Sequence, residues 1–209
     1  MIRHRLTRTP QLSPSSPRRR RVAGRLAGCL LALAALGAGA ALAPAPAHAE
    51  AGSSQALERQ VKAAFLYKFL GYADFPASAF ADSAAPVTIG VIGSDEMAAE
   101  LGRVVAGRQV RGRPIVVRTL REGEPAQVHL LFVAGSDSVR AARILRSASA
   151  ALLPVTECEL GLQSGSVINF RIIEERVRFD VSLDSAERNN VKLSSRLLTV
   201  ANRVIKGNS

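Results

Sequence analysis

Residues 128–134 read VHLLFVA, apolar at every position except His129. A strand with one face in water alternates apolar and polar residues. A run like this one needs cover on both faces, which a parallel sheet flanked by helices supplies. The neighbouring segments fit that plan. PVTIGVIGS (86–94) is β-rich and leads into DEMAAELGRVV, whose acidic residues open a helix where its dipole favours them. PIVVRTL (114–120) and ALLPVTE (151–157) read as strands, and SDSVRAARILRSAS (136–149) as a helix capped by Ser136. VINFRI and RVRFDVSL alternate apolar with polar residues about Ile173-Glu174-Glu175, the pattern of a β-hairpin with one buried face. Asp184 and Glu187 have the spacing of a capping box. Residues 192–205 read as a closing amphipathic helix, with Leu193, Leu197, Val200 and Val204 on one side. The predicted fold is α/β: a three-layer sandwich with a mostly parallel sheet flanked by helices and an antiparallel C-terminal hairpin at one edge.

The first helix carries an unusual load. Six of the nine aromatic residues (Phe65, Tyr67, Phe69, Tyr72, Phe75 and Phe80) fall within residues 65–80, and the chain has no Trp. From Gln55, Leu57, Val61, Phe65, Phe69 and Tyr72 follow one another at helical spacing, and Asp74-Phe75-Pro76 ends the helix. Leu66 and Leu70 fall off that stripe, so the helix is apolar nearly all round, interrupted chiefly by Lys62 and Lys68. Such a helix is buried on two sides or meets a partner. Phe65, Phe69 and Phe75 are read as core, and Leu66, Tyr67, Leu70 and Tyr72 are left as candidates for a partner or dimer surface.

The first 49 residues hold eight arginines and no acid, with Arg18-Arg19-Arg20-Arg21 preceding an apolar stretch that closes on Ala47-His48-Ala49. That is the pattern of a signal peptide with an A-x-A cleavage site. Two readings compete with cleavage: lipidation at Cys29 in Leu26-Ala27-Gly28-Cys29, and an uncleaved anchor. Residues 1–49 are expected as signal, 50–54 as a short linker and 55–209 as a single domain. Without the signal, 20 basic residues face 17 acids, a net charge of +3 instead of +11. Such a balance carries no electrostatic footprint for nucleic acid. Cys158 is then the sole cysteine, read as a buried thiol or as an intermolecular bridge in the polar segment TECELGLQSG.

Little in the chain suggests reaction chemistry. Gly90-Val91-Ile92-Gly93-Ser94 lacks the G-x-G-x-x-G pattern and a P-loop lysine, so it reads as a strand-to-helix turn. One histidine, His129, and one cysteine after the signal do not make a metal set, and no G-x-S-x-G elbow accompanies His129. No catalytic residue, metal or cofactor is expected. The polar side of the hairpin brings Asn169, Arg171, Arg178 and Asp180 to alternate positions, a secondary candidate surface for a ligand or partner.

VKAAFLYKFLGYADFP, IGVIGSDEM, GRPIVVRTL, HLLFVAGS and the closing block RVRFDVSLDSAERNNVKLSSRLLTVANRVI together resemble the YfiR family of exported bacterial proteins, in order and over nearly all of the chain after the signal. The resemblance implies a non-enzymatic periplasmic regulator. Its namesake represses a membrane-bound diguanylate cyclase by binding the cyclase's periplasmic domain, and an outer-membrane lipoprotein sequesters it. Cyclic-di-GMP output, biofilm and exopolysaccharide lie downstream, and a homodimer is expected. The namesake's disulfides have no counterpart here, and its Trp-Pro is Phe75-Pro76. A small-ligand binder or adaptor serving an envelope transport or sensory system is the alternative.

Overall fold

A computed structural model describes residues 47–148 and 153–207, with side chains from Gly52 onward. Helix α1 (Ala47–Tyr72) runs into β1 (Ala73–Asp74) and, past a 3-10 turn at Ala77–Ala79, β2 (Val87–Ile92) leads to α2 (Asp95–Val105). Then come β3 (Gln109–Val110), β4 (Arg113–Thr119), β5 (Leu130–Val133), α3 (Ser138–Ser147) and β6 (Leu153–Thr156). The hairpin β7 (Ile168–Ile173) and β8 (Arg176–Ser182) is followed by α4 (Leu183–Arg188), β9 (Lys192–Leu193), α5 (Ser195–Val200) and β10 (Arg203–Ile205).

Eight strands form one sheet in the order β10-β8-β7-β6-β5-β2-β4-β3, antiparallel only at β7–β8 and β3–β4, while β1 and β9 pair separately. The apolar run of β5 lies near its middle. Leu130 and Phe132 point into a core shared with α1 and α2, and Leu131 and Val133 into a second core under Ala141 and Ile144 of α3. Gly90 on β2 lies close under the second core, where a Cβ would meet Leu120 Cδ1 at 2.7 Å and Val128 at 3.2 Å and oblige a neighbour to shift. The mostly parallel α/β sandwich read from the sequence is thus the observed fold.

The rings of α1 explain much of its aromatic load. Phe69 meets Phe179 at 5.0 Å and Phe170 at 5.8 Å between ring centroids, and Phe65 meets Phe179 at 5.5 Å. Edge-on and stacked pairs of this kind add roughly 0.5–1.5 kcal/mol each beyond area burial. Phe75 packs instead on His129.

Several local expectations need correction. The closing helix over 192–205 is three short elements, β9, α5 and β10. Ser194 caps α5, Ala201 leaves it in extended geometry, and β10 then joins β8 in parallel, so Val200 stays exposed. The hairpin consequently lies one strand in from the edge. Asp137, not Ser136, caps α3, and Ser182, not Asp184, caps α4; Asp184 instead accepts the Gly207 N–H. Residues 50–54, expected as linker, continue α1, which begins inside Ala47-His48-Ala49. The arginine run, the apolar segment and Cys29 lie outside the described residues.

Candidate functional site

Two places on the carboxyl side of the parallel strands gather functional side chains. At the first, β2 sends the chain to α2 on one face and β5 sends it to α3 on the other. Open α/β sheets place ligands in the crevice at such a reversal. Here the crevice holds about 310 Å³, lined by Glu58, Arg59 and Lys62 of α1, Ser94 and Met97 at the start of α2, and Glu157 just past β6, among others. Lys62 is buried and donates to the Glu58 carboxylate and, at 2.5 Å, to Glu157. The second Glu157 oxygen accepts the Gly135 N–H at 2.7 Å. Across the sheet, Arg140 donates to the Ala134 carbonyl and pairs with Glu122, which Arg143 also reaches. Burial pushes the Lys62 amine down, but the Glu157 and Glu58 carboxylates outweigh it and hold it above its ordinary value. The chain's own carboxylates thus occupy the donors a ligand would use. This crevice ties α1 to the sheet.

The second place is open. Leu57, Val61 and Phe65 of α1 face Ile172 and Val177 of the hairpin across a groove of about 730 Å³, rimmed by Glu175, Arg176 and Arg178. Leu57 is 62% exposed and Ile172 51%, unusual for large apolar side chains. Arg176 and Arg178 form no ion pair among the described residues. Glu174 and Glu175 turn the hairpin at φ +49° and +59°, a left-handed pair that ordinarily selects Asn and Gly. The groove is an apolar trough with the Ser54 hydroxyl, the Glu58 and Glu175 carboxylates and the two guanidinium groups around it.

The residues picked out from sequence fall differently. Leu66 and Leu70 are fully buried, which overturns their reading as partner surface, because α2 covers the side of α1 that the helical stripe left open. Tyr67 is half-buried against the same core, with the Arg108 guanidinium 5.0 Å from its ring, and only Tyr72 is exposed. On the hairpin, register pairs Asn169 with Asp180 and Arg171 with Arg178, bringing all four to one sheet face. They are not one surface. Asn169 is buried, accepting from Thr156 and donating to the Cys158 carbonyl; Asp180 is buried and accepts from Asn202. Arg171 donates to the Glu159 carbonyl, and Arg178 alone stands exposed. Cys158 is 1% exposed in the core under α3, so it is placed for packing and not for an intermolecular bridge.

Leu57 and Ile172 were missed as surface because both sit in register with core residues. Their exposure comes from where the neighbouring elements stop, which periodicity does not encode. Lys62 was legible as a break in an apolar helix.

The model of the YfiR/HmsC-like family matches residues 59–202, from the middle of α1 to just past α5. The chain belongs to the YfiR/HmsC-like family. YfiR/HmsC-like membership makes it a regulator-type protein of the periplasm. No helix among the described residues is long and apolar enough to cross a membrane. No curated protein matches the chain. Among solved structures, a conserved domain protein from Vibrio cholerae O1 biovar El Tor strain N16961 is similar at a TM-score of 0.44 and 10% identity, over 57% of this chain and 55% of that one. The YfiR/HmsC-like chain therefore spans about half the length of that structure.

Proposed function

We propose that this chain is a non-enzymatic periplasmic binding protein that represses a membrane-bound diguanylate cyclase by engaging the cyclase's periplasmic domain. The family match over residues 59–202 carries this reading. Cyclic-di-GMP, biofilm and exopolysaccharide are its downstream outputs, an outer-membrane lipoprotein is the competing partner, and residues 1–49 are the export signal. The cyclic dinucleotide is made in the cytoplasm, so the recognised object is protein.

The groove between α1 and the hairpin supports a binding role and suggests what enters it. Its floor is Leu57, Val61, Phe65, Ile172 and Val177, and Arg176 and Arg178 at the rim form no ion pair among the described residues, although the Glu175 carboxylate shares the rim. The fitting partner element is an apolar side chain flanked by an acidic one, buried at the centre of the contact where such anchors carry most binding energy. The double substitution Leu57→Ser/Ile172→Ser tests it in cells. Exposed positions change stability by about 0.5 kcal/mol or less, so the variant is expected to be exported and folded while cyclic-di-GMP rises. A folded, exported variant that represses like the wild type would overturn the assignment of this groove.

A further inference from the structure

At the opposite, amino-terminal end of the parallel strands, His129 closes a small ring with Thr88. Its backbone N–H donates to the Thr88 carbonyl at 2.9 Å, and its Nδ1 accepts the Thr88 N–H at 3.0 Å. The imidazole thus takes the place of a backbone acceptor where β2 and β5 begin to pair. An accepting Nδ1 puts the proton on Nε2. Nε2 is buried and, among the described residues, makes no hydrogen bond of good geometry, the Ala79 backbone being the polar group that favours its proton. The residue is held neutral in one tautomer, and a second proton at Nδ1 would set donor against donor.

The same ring anchors the 75–86 segment. Phe80 stacks on His129 at 4.5 Å and 24°, and Phe75 meets it edge-on at 5.6 Å. Arg113 of β4 lies 3.9 Å from the Phe80 ring centre and donates to the Asp82 and Ala85 carbonyls at 2.9 and 2.8 Å. β2, β5 and β6 carry no titratable side chain, so the charged groups nearby are Arg113 and Asp82, whose carboxylate accepts the Ala84 N–H. Burial lowers the His129 pKa below 6.5, the Ala79 backbone offsets part of this, and Arg113 adds to the lowering.

We propose that this stack is a pH-released clasp: on acidification His129 takes a second proton, Thr88 loses its acceptor, and the 75–86 segment leaves the sheet and uncovers Phe75 and Phe80. A folded pKa below 6.5 fixes the sign. Docking of the segment is full above the unfolded value and is lost as pH falls through the folded one. The clasp does not depend on the partner reading, since the groove lies at the other end of the strands.

The full chain, followed by NMR from about pH 8 to about pH 5, tests it across the range where a histidine changes charge. The His129 ring signal, assigned by its loss in His129→Gln, is expected to titrate below the ordinary value. Protection of the Thr88 amide should fall about tenfold or more on the same curve, as local opening predicts, while the Phe179 amide in β8 stays protected. His129→Gln retains an acceptor without a titrating group and should keep Thr88 protected throughout. Phe80→Ala removes only the stack, and should move the His129 midpoint toward 6.5 and speed proteolysis of the segment at neutral pH. Thr88 protection that survives His129 protonation would overturn the clasp. So would simultaneous loss at Phe179, which would make the event global unfolding, or equal opening in wild type and His129→Gln.

Discussion

The two halves of α1 follow one helical period and meet opposite fates. In the second half Leu66, Phe69 and Leu70 are buried between the sheet, α2 and α5; in the first half Leu57, on the same stripe as Phe65, is left largely in solvent. Apolar pattern says which way a side chain points. What covers it is decided by elements far away in sequence: α2 and the sheet cover Leu66, Phe69 and Leu70, while the hairpin tip faces Leu57 across an open groove. The buried half holds the fold together, and the open half leaves apolar surface uncovered.

The sharpest test of that division is Leu70→Ala. A fully buried leucine cut to alanine costs about 2–5 kcal/mol, which for a domain of this size lowers Tm by roughly 2–4 °C per kcal/mol. Leu57→Ala should stay within about 0.5 kcal/mol of wild type. Chemical denaturation of the two variants side by side reads the contrast. Equal losses would mean that the first half of α1 is core as well.

Much of the architecture was legible because burial on both faces leaves a signature in a single strand. Residues 128–134 required a covered sheet, and the alternation in VINFRI and RVRFDVSL gave the hairpin. The C-terminal stretch misled because Leu193, Leu197, Val200 and Val204 keep helical spacing whether or not the helix continues. Extended geometry at Ala201 and the free edge of β8 end it, and pairing with a distant strand is invisible to local pattern. Of the two readings of Cys158, the buried thiol is the observed one: despite its polar sequence neighbours, the segment folds down and places the thiol under α3. The groove was the least legible part, being a gap between two elements.

Lys62 stands at the border between the halves, and removing its charge sharpens the comparison next. Lys62→Met leaves Glu58 without its partner and Glu157 with only the Gly135 N–H. Stranding a largely buried carboxylate costs about 1–3 kcal/mol, less than losing a core leucine. The folded amine titrates above 10.5, so its contribution is full below that value and is lost as pH rises through the folded pKa. Urea unfolding at neutral pH and at about pH 11 is expected to show the gap between wild type and variant closing only in alkali. A gap that is unchanged in alkali would show that the methylene stem, not the ion pair, supplies the stabilisation.

The smallest effect lies at the far wall of the groove. Glu174 and Glu175 turn the hairpin with φ of +49° and +59°, a conformation that costs a residue bearing a Cβ about 1 kcal/mol and that Asn and Gly adopt readily. Glu174→Asn/Glu175→Gly should therefore stabilise the fold by about 1 kcal/mol, partly offset by the greater freedom glycine gives the unfolded chain. Because Glu175 also lines the groove beside Arg176, the same change makes its lip more positive, and for an acidic partner flank repression in cells is expected to hold or strengthen while Tm rises. Stability and repression moving in opposite directions would mark the turn as strained for the sake of binding. A rise in Tm with repression intact would confine the docking wall to Ile172 and Val177, and no rise at all would mean that the hairpin accommodates the glutamates without strain.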